Sequence, residues 1–287
     1  MLLPRIYLLL CVIFWGWTFV ATKIALQYVS PFELMGLRFL IGLPLLALII
    51  GIMRISLRFE RRDWWGLAIG SAIITVHFFI QITGLKYTSA TNTGWIISIS
   101  PLIMALLAVL ILREKLRKFT VLGIFTSTLG ILLLVSGGDL SNLGWLDSVG
   151  DWLVLASAHT WAFYTVAVRN VSRRRQPLAV TFAVLLPAAV VVLIPMAFMS
   201  DWSSFVNMPT DGLLALLFLG LVGLAIALWF WQEGVAKLGA ARAGLFQYLE
   251  PLATVSLAVT LLDEHFGWLT ALAGTLVLLG VYVSERK

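Results

Sequence analysis

The chain contains an internal repeat that limits the folds open to it. Residues 85–116 align without a gap with residues 235–266, which lie 150 positions later. Hydrophobic residues make up 61% of the sequence and charged residues 12%, about half the charge of an average soluble domain. Two similar halves in so apolar a chain favour a membrane carrier, because they can rock about a shared site. The coinciding pairs include Ala90/Ala240, Gly94/Gly244, Pro101/Pro251 and Glu114/Glu264.

Polar or turn-forming residues divide the chain into ten apolar segments. A helix needs about 20 residues to cross the hydrocarbon core of a bilayer, and most of these segments approach that length. The connections are short, so no soluble domain is expected. The predicted spans are 6–27, 32–52, 64–84, 88–111, 119–136, 149–169, 178–199, 212–232, 241–262 and 267–284.

The basic residues predict the orientation of these spans. Seventeen of the twenty lysines and arginines fall on one side of the ten-span arrangement, leaving Lys23, Arg38 and Lys86. By the positive-inside rule this side is cytoplasmic, and so are both termini. Their distribution between apolar spans also argues against nucleic-acid binding, despite the net charge of +6.

An odd number of spans in each half has a consequence for topology. With five spans per half, the second half must enter the membrane from the opposite face. We therefore predict an all-α polytopic membrane protein of ten transmembrane helices in two inverted five-helix repeats, residues 1–137 and 138–287. The first-span sequence WGWTFVATK (15–23) also aligns with WAFYTVAVR (161–169), which pairs Lys23 with Arg169.

Three motifs carry a resemblance to a known family. They are WGWTFVATK (15–23), SISPLIMALLAVLILREKL (98–116) and YLEPLATVSLAVTLLDEHF (248–266), and in the last two a proline lies inside the span and a glutamate closes it. The chain resembles the drug/metabolite transporter superfamily, specifically its EamA-type members with ten spans in two five-span repeats. Among these it is similar to the YddG-type exporters, which are associated with aromatic amino acids.

Polar and aromatic residues deep in the spans are the candidates for a substrate site, because polar groups at the bilayer centre are costly unless they are paired or hydrated. Pro101 and Pro251 should bend spans four and nine, as hinges or as static kinks. We interpret Glu114 as a solvated ion pair or cap. The predicted substrate-binding residues are Trp17, Thr18, His77, Gln81, Trp95, His159, Tyr164, Gln247 and Tyr248.

Glu250 is the candidate for proton coupling. A carboxylate this deep in a span should be paired or have a raised pKa, which suits a residue that gains and loses a proton. A histidine could titrate instead, and the alternative role for Glu250 is structural, as the ion-pair partner of Arg38, the one arginine inside span two.

The function predicted from these features is secondary active export of amino acids across the cytoplasmic membrane by alternating access. Aromatic or other apolar amino acids are favoured, and broad specificity is compatible with the motifs. The alternatives are export of lipophilic cations, drugs or other small metabolites, and a channel-like facilitator. The expected partners are the substrate, protons if transport is coupled, and the lipid bilayer; no signal indicates an oligomeric state.

The sequence lacks the motifs of several other classes of protein. No Gly-Lys dipeptide occurs, so there is no phosphate-binding loop for ATP. His-Glu-x-x-His and Gly-x-Ser-x-Gly are also absent, and Cys11 is the only cysteine. We therefore expect no enzyme activity, no cofactor and no metal site.

Overall fold

The structure is a computed structural model that describes residues 2–135, 146–261 and 268–284. Every regular element within these ranges is helical, and none of the residues in them forms a β-strand. In the first half the helices are α1 (Leu3–Ala25), α2 (Pro31–Ile52), α3 (Arg61–Tyr87), α4 (Ala90–Ile97), α5 (Ser100–Leu110) and α6 (Lys118–Val135).

The second half has the same order of long helices, with more interruptions. Some sequence features lie outside the described residues. They are Glu264, Trp145, Arg286 and Lys287, and most of the connection between predicted spans five and six, residues 137–148. The elements are α7 (Val149–Arg174), α8 (Pro177–Met199), α9 (Trp202–Val206), α10 (Thr210–Leu217), a π-helical segment (Phe218–Ile226), α11 (Ala227–Leu238), α12 (Ala240–Phe246), a 3₁₀ turn (Gln247–Leu249), α13 (Glu250–Leu261) and α14 (Trp268–Ser284).

The surface of the helix bundle suits lipid. Large apolar side chains project outward, with Phe198 87% and Met199 79% exposed. An apolar surface of this extent is unfavourable in water and favourable in lipid. Trp65 and Trp268 are exposed near helix ends, where tryptophans commonly anchor a span at the membrane interface. In the described part of the chain, the stretches long and apolar enough to cross a bilayer are Leu3–Ala25, Pro31–Ile52, Arg61–Tyr87, Ala90–Leu110, Pro177–Met199 and Thr210–Leu238.

The remaining predicted spans are also helical in the structure, but they are shorter or more polar. Lys118–Leu133 and Ala271–Ser284 are apolar helices below the length of a full span. Helix α7 has 26 residues, but it carries Asp151 in its first turn and two arginines in its last turn.

Two of the predicted spans are interrupted just before a proline. Helix α4 ends at Ile97, and α5 begins at Ser100, directly before Pro101. In the second half the 3₁₀ turn separates α12 from α13, which begins directly before Pro251. Proline has no N–H and its ring clashes with the preceding turn, so the α-helical hydrogen bonds cannot continue through it. The bends predicted at both prolines are thus present as breaks.

The helices pack in corresponding pairs across the two halves. Helix α3 lies beside α7, and the equivalent pair in the repeat, α11 and α1, is also in contact. The contact of α5 with α7 corresponds to that of α13 with α1, and the contact of α4 with α13 to that of α12 with α5. Helices α2 and α8 pack on each other, as do α6 and α14. Within each of these pairs, the two helices occupy corresponding positions in the two halves.

The backbones of α1 and α13 touch at Gly16. A Cβ atom on Gly16 would lie 2.6 Å from the carbonyl oxygen of Glu250 and 2.7 Å from the Cβ of Ala253. The hydroxyl of Thr254 donates a hydrogen bond to the Gly16 carbonyl at 3.1 Å. This contact, which only glycine permits, places the start of α13 beside the middle of α1.

A buried carboxylate joins the start of α3 to the end of α7. Asp63 is fully buried, and it accepts hydrogen bonds from Arg174 at 2.8 Å and from Arg175 at 2.6 Å. It also accepts the backbone N–H of Glu60 at 3.1 Å and so caps its own helix. The two helices are therefore antiparallel, with these ends on the same side of the bundle.

We expect Asp63→Ala to lower the free energy of unfolding by about 2 kcal/mol, between the values for exposed and buried ion pairs, because the arginines that cover Asp63 can rehydrate at the end of the bundle. Thermal unfolding in detergent measures the change. Glu60→Ala is the matched control, because Glu60 also pairs with Arg175, at 2.6 Å, but its side chain is 53% exposed. That change should cost no more than about 1 kcal/mol. Equal effects of the two substitutions would contradict a buried role for Asp63.

Candidate functional site

A small cavity lies inside the bundle, between α1, α2, α3, α7 and the break before α13. Its volume is about 30 Å³, which holds a water molecule or two, since one water needs roughly 10–15 Å³. Apart from Gln81, the residues that line it are buried. They are Trp15, Thr18, Phe19, Arg38, His77, Phe78, Gln81, Ile97, Trp161, Leu228, Gln247 and Glu250.

Tryptophans from both halves form one wall of the cavity. The rings of Trp15 and Trp161 meet edge to face, with centroids 4.9 Å apart, and both lie within 5.5 Å of the Trp231 ring. Trp15 donates its indole N–H to the carbonyl of Gly223 at 3.1 Å, and Trp231 donates to the Thr165 hydroxyl at 3.3 Å. These bonds fix the rings of Trp15 and Trp231, and the Trp161 ring packs against both with its own indole N–H unpaired within the described residues.

The cavity lining also carries ionisable groups. The guanidinium carbon of Arg38 lies 4.8 Å from the centroid of the Phe78 ring, a cation–π distance. Glu250 is 97% buried at the first position of α13. Within the described residues, no ion pair shorter than 4.0 Å joins Arg38 to a carboxylate. The alternative role of Glu250 as the direct ion-pair partner of Arg38 is therefore absent from this conformation.

Four polar atoms of the residues that line the cavity lack a hydrogen-bond partner in the described part of the chain. They are Nε of Arg38, Nε1 of Trp161, Oε2 of Glu250 and Oε1 of Gln247. His77, in contrast, is held from α7, since its Nδ1 lies 3.0 Å from the carbonyl oxygen of Ser157 and 3.3 Å from the Thr160 hydroxyl. Among the described residues, no three His, Cys, Asp or Glu side chains converge as they would to hold a metal ion.

The structure brings some of the predicted site residues together around this cavity. They are Thr18, His77, Gln81, Gln247 and Glu250. The first three come from α1 and α3 and the other two from the break before Pro251, so the two halves of the chain both contribute.

The two predicted tryptophans lie elsewhere. Trp17 faces a depression on the outer surface of the bundle, beside Ile24 and Leu214. Residues two apart on a helix point about 200° away from each other, so when Trp15 faces the cavity, Trp17 faces away. Trp95 packs half-buried against the core, and Ile97, two residues further on, faces the cavity. Neither Trp17 nor Trp95 therefore lines this cavity in the structure, and their contact with substrate stays a prediction.

His159, Tyr164 and Tyr248 also lie away from the cavity. His159 is exposed and bonds the carbonyl of its own helix at Leu155, at 2.9 Å. The two tyrosines are fully buried, and their hydroxyls pair with Gln232 and Thr128 respectively, each at 2.8 Å. These three residues belong to the surface and the packing of the bundle.

Sequence reasoning overlooked Trp15, Trp161 and Phe78 and gave Arg38 only a structural role. The signal for the tryptophans was present, because the alignment of residues 15–23 with residues 161–169 pairs Trp15 with Trp161. The sequence signal for Arg38 was its position as the one arginine inside span two.

The two broken spans cross each other at their prolines. A Cβ atom on Gly94 would lie 3.5 Å from Cα of Pro251, and one on Gly244 would lie 3.5 Å from Cα of Pro101. Each proline thus packs against the glycine of the other half. Both breaks lie close to the cavity, since Ile97 and Gln247 line it.

Glu114 caps the N-terminus of α12, the first part of the second broken span. Its carboxylate accepts the backbone N–H groups of Ala240 and Ala241 at 3.2 and 3.4 Å, and it lies 3.3 Å from Nε of Arg169. The predicted cap is confirmed, and its partners come from α12 and α7.

Comparisons with known proteins agree with this architecture. The sequence profile of the EamA-like transporter family matches residues 3–136 and again residues 148–285. An uncharacterized transporter of Archaeoglobus fulgidus is 29% identical over 284 residues, 99% of this chain and 97% of the relative. The uncharacterized transporter YyaM of Bacillus subtilis is 31% identical over 281 residues, 95% and 90% of the two chains. One crystal structure shares the fold, with a TM-score of 0.78 at 21% identity over 98% of this chain and 97% of the other.

Apolar helices with a lipid-suited surface, together with these relatives, define a multi-pass integral membrane protein of the cell membrane. The chain belongs to the EamA-like transporter family. The predicted resemblance to EamA-type members of the drug/metabolite transporter superfamily is confirmed, and the closer similarity to YddG-type exporters stays a prediction.

Proposed function

We propose that this protein exports amino acids across the cell membrane by alternating access, as a secondary transporter, with aromatic or other apolar ones favoured. The observation that carries the proposal is the buried cavity, whose lining combines Trp15 and Trp161 with Arg38, His77 and Glu250. Such a cavity suits a small molecule with an apolar part and a charged part. The outward direction rests on the resemblance of the sequence to amino-acid exporters.

The proposed topology is ten transmembrane helices in two inverted five-helix repeats, residues 1–137 and 138–287, with both termini cytoplasmic. Two observations support it. The family profile matches the chain once in each half, and the main contacts between a helix of one half and a helix of the other come in equivalent pairs. An inverted repeat gives a transporter two conformations built from the same kinds of contact, one open to each side.

Alternating access is supported by the size of the cavity and by the broken helices. A cavity of about 30 Å³ is far too small for an amino acid, so binding requires the helices around it to move. The breaks before Pro101 and Pro251 supply positions where the α-helical pattern of main-chain hydrogen bonds is already interrupted. We propose these two positions as the hinges.

Counterflow in proteoliposomes tests the function. Liposomes loaded with each of the twenty amino acids, or with a cationic dye, are exposed to a trace of labelled phenylalanine. We expect uptake that saturates and is stimulated by internal aromatic or aliphatic amino acids. Flux that rises linearly with concentration, without stimulation from the opposite side, would contradict a carrier and favour a channel.

The panel also tests export of lipophilic cations, the main alternative. An aromatic wall beside Glu250 could hold a cation, but Arg38 lines the same cavity and would repel it. We therefore expect the dyes to stimulate uptake less than the amino acids do. The reverse order would favour a drug exporter.

A further inference from the structure

Arg38 is a buried charge whose guanidinium has no carboxylate partner among the described residues. Its side chain is 94% buried on α2, lines the cavity, and has no hydrogen-bond partner for Nε in the described chain. A charge within a membrane-spanning helix is costly unless an opposite charge or water stabilises it. An arginine in a substrate cavity therefore favours an anionic ligand, and its planar fork matches a carboxylate with two parallel hydrogen bonds.

The lining of the same cavity also has the complementary chemistry. Oε2 of Glu250 and Oε1 of Gln247 are both acceptors, both are buried, and neither has a donor within the described residues. An ammonium group offers three donors and no acceptor, so it would satisfy both atoms at once. Arg38 and Glu250 come from opposite halves of the chain and line one cavity without forming an ion pair.

We propose that Arg38 binds the carboxylate of a zwitterionic substrate whose ammonium group is held by Glu250 and Gln247. This assignment rests on the proposed function and narrows it to molecules that carry both charges. The apolar part of the substrate then lies against Trp15 and Trp161. An amine without a carboxylate leaves Arg38 without an anion and is rejected, and so is an acid without an ammonium group.

Paired substrates test this assignment on the full-length protein in proteoliposomes at about pH 6, where amines are charged. The probes are phenylalanine, phenylalaninamide, which lacks the carboxylate, and N-acetylphenylalanine, which lacks the ammonium. For the wild type we expect each modification to raise the half-saturation concentration about 10- to 100-fold, the range for one hydrogen bond to a charged group.

Variants of Arg38 test whether its guanidinium is responsible for the preference for a substrate carboxylate. In Arg38→Met, we expect phenylalanine and phenylalaninamide to differ by no more than about twofold, while N-acetylation is still penalised as in the wild type. Arg38→Lys keeps the charge without the planar fork, so it should keep the preference for phenylalanine with weaker affinity. Arg58→Met is the matched control, because Arg58 is exposed and lies outside the cavity, and its profile should equal that of the wild type.

The outcomes separate this inference from the function on which it rests. Wild-type protein that transports no amino acid overturns both. Wild-type protein that takes phenylalanine and its amide equally well, or an Arg38→Met variant that still prefers the acid tenfold, overturns the role of Arg38 alone. If Arg38→Met does not yield folded protein by size-exclusion chromatography, the wild-type comparison and Arg38→Lys decide the question.

Discussion

Replacing Gly16 by leucine is expected to destabilise the protein by about 3 kcal/mol, the upper part of the range for overpacking a tight contact. Even the first added carbon would lie within 2.8 Å of the Glu250 carbonyl oxygen, the Ala253 Cβ and the Thr254 nitrogen. Two of these atoms belong to the backbone of α13, which cannot rotate out of the way. The helices must therefore separate, and α1 would carry Trp15 and Thr18 away from the cavity.

Thermal unfolding in detergent and counterflow activity both measure this effect, and Gly51→Leu is the matched control. Gly51 lies on α2 with no atom within 4 Å of the position of an added Cβ, so the same substitution there should stay within about 0.5 kcal/mol of the wild type. A Gly16→Leu variant that is as stable and active as Gly51→Leu would show that α1 and α13 do not touch.

Glu250→Gln is expected to remove most of the pH dependence of transport. Glutamine has the shape of the protonated carboxylic acid but cannot release a proton, so a cycle that protonates Glu250 loses its coupling step. The same change also weakens the hold on an ammonium group, so the half-saturation concentration should rise about 10- to 100-fold. Flux measured from about pH 5 to about pH 8, a range that includes the usual titration of histidine, separates the two effects.

Other ionisable groups near Glu250 must be distinguished in this experiment. Cys11 on α1 is within electrostatic range of Glu250, Arg38 lies on α2, and His77 lies on α3. His77→Gln should keep the wild-type pH profile if Glu250 is the coupling residue. Glu233→Gln is the matched control, since Glu233 lies on α11 outside the cavity, bonded to Trp229 at 3.2 Å. If Glu250→Gln keeps the wild-type profile, Glu250 does not couple transport to protons.

The sequence predicted the scaffold more completely than the site. The residues shared by the two halves, such as Pro101/Pro251 and Gly94/Gly244, lie where the broken spans cross, because close packing allows few alternatives at such positions. The predicted spans agree with the helices of the structure within a few residues at most ends. An internal repeat thus identifies the positions that hold the helices together.

The site was harder to predict because its charges occur where the two halves differ. At the 150-residue offset Glu250 matches Ser100 and Arg38 matches Ala188, so the repeat says nothing about either charge. The choice between Trp15 and Trp17 depends on which face of α1 meets α7 and α13, and that is a property of the assembled bundle. Hydrophobic periodicity could not show which face of α1 is buried, since α1 is apolar on nearly all sides.

In the proposed mechanism, the opposite charges of Arg38 and Glu250 also set the response of transport to the membrane potential. Moving one elementary charge across 100 mV requires about 2.3 kcal/mol, but an ionised arginine and an ionised glutamate together carry none. The empty site and the site filled with a zwitterion would therefore both reorient without electrical work. A bound proton adds one positive charge to that step, and only then would the membrane potential affect the turnover rate.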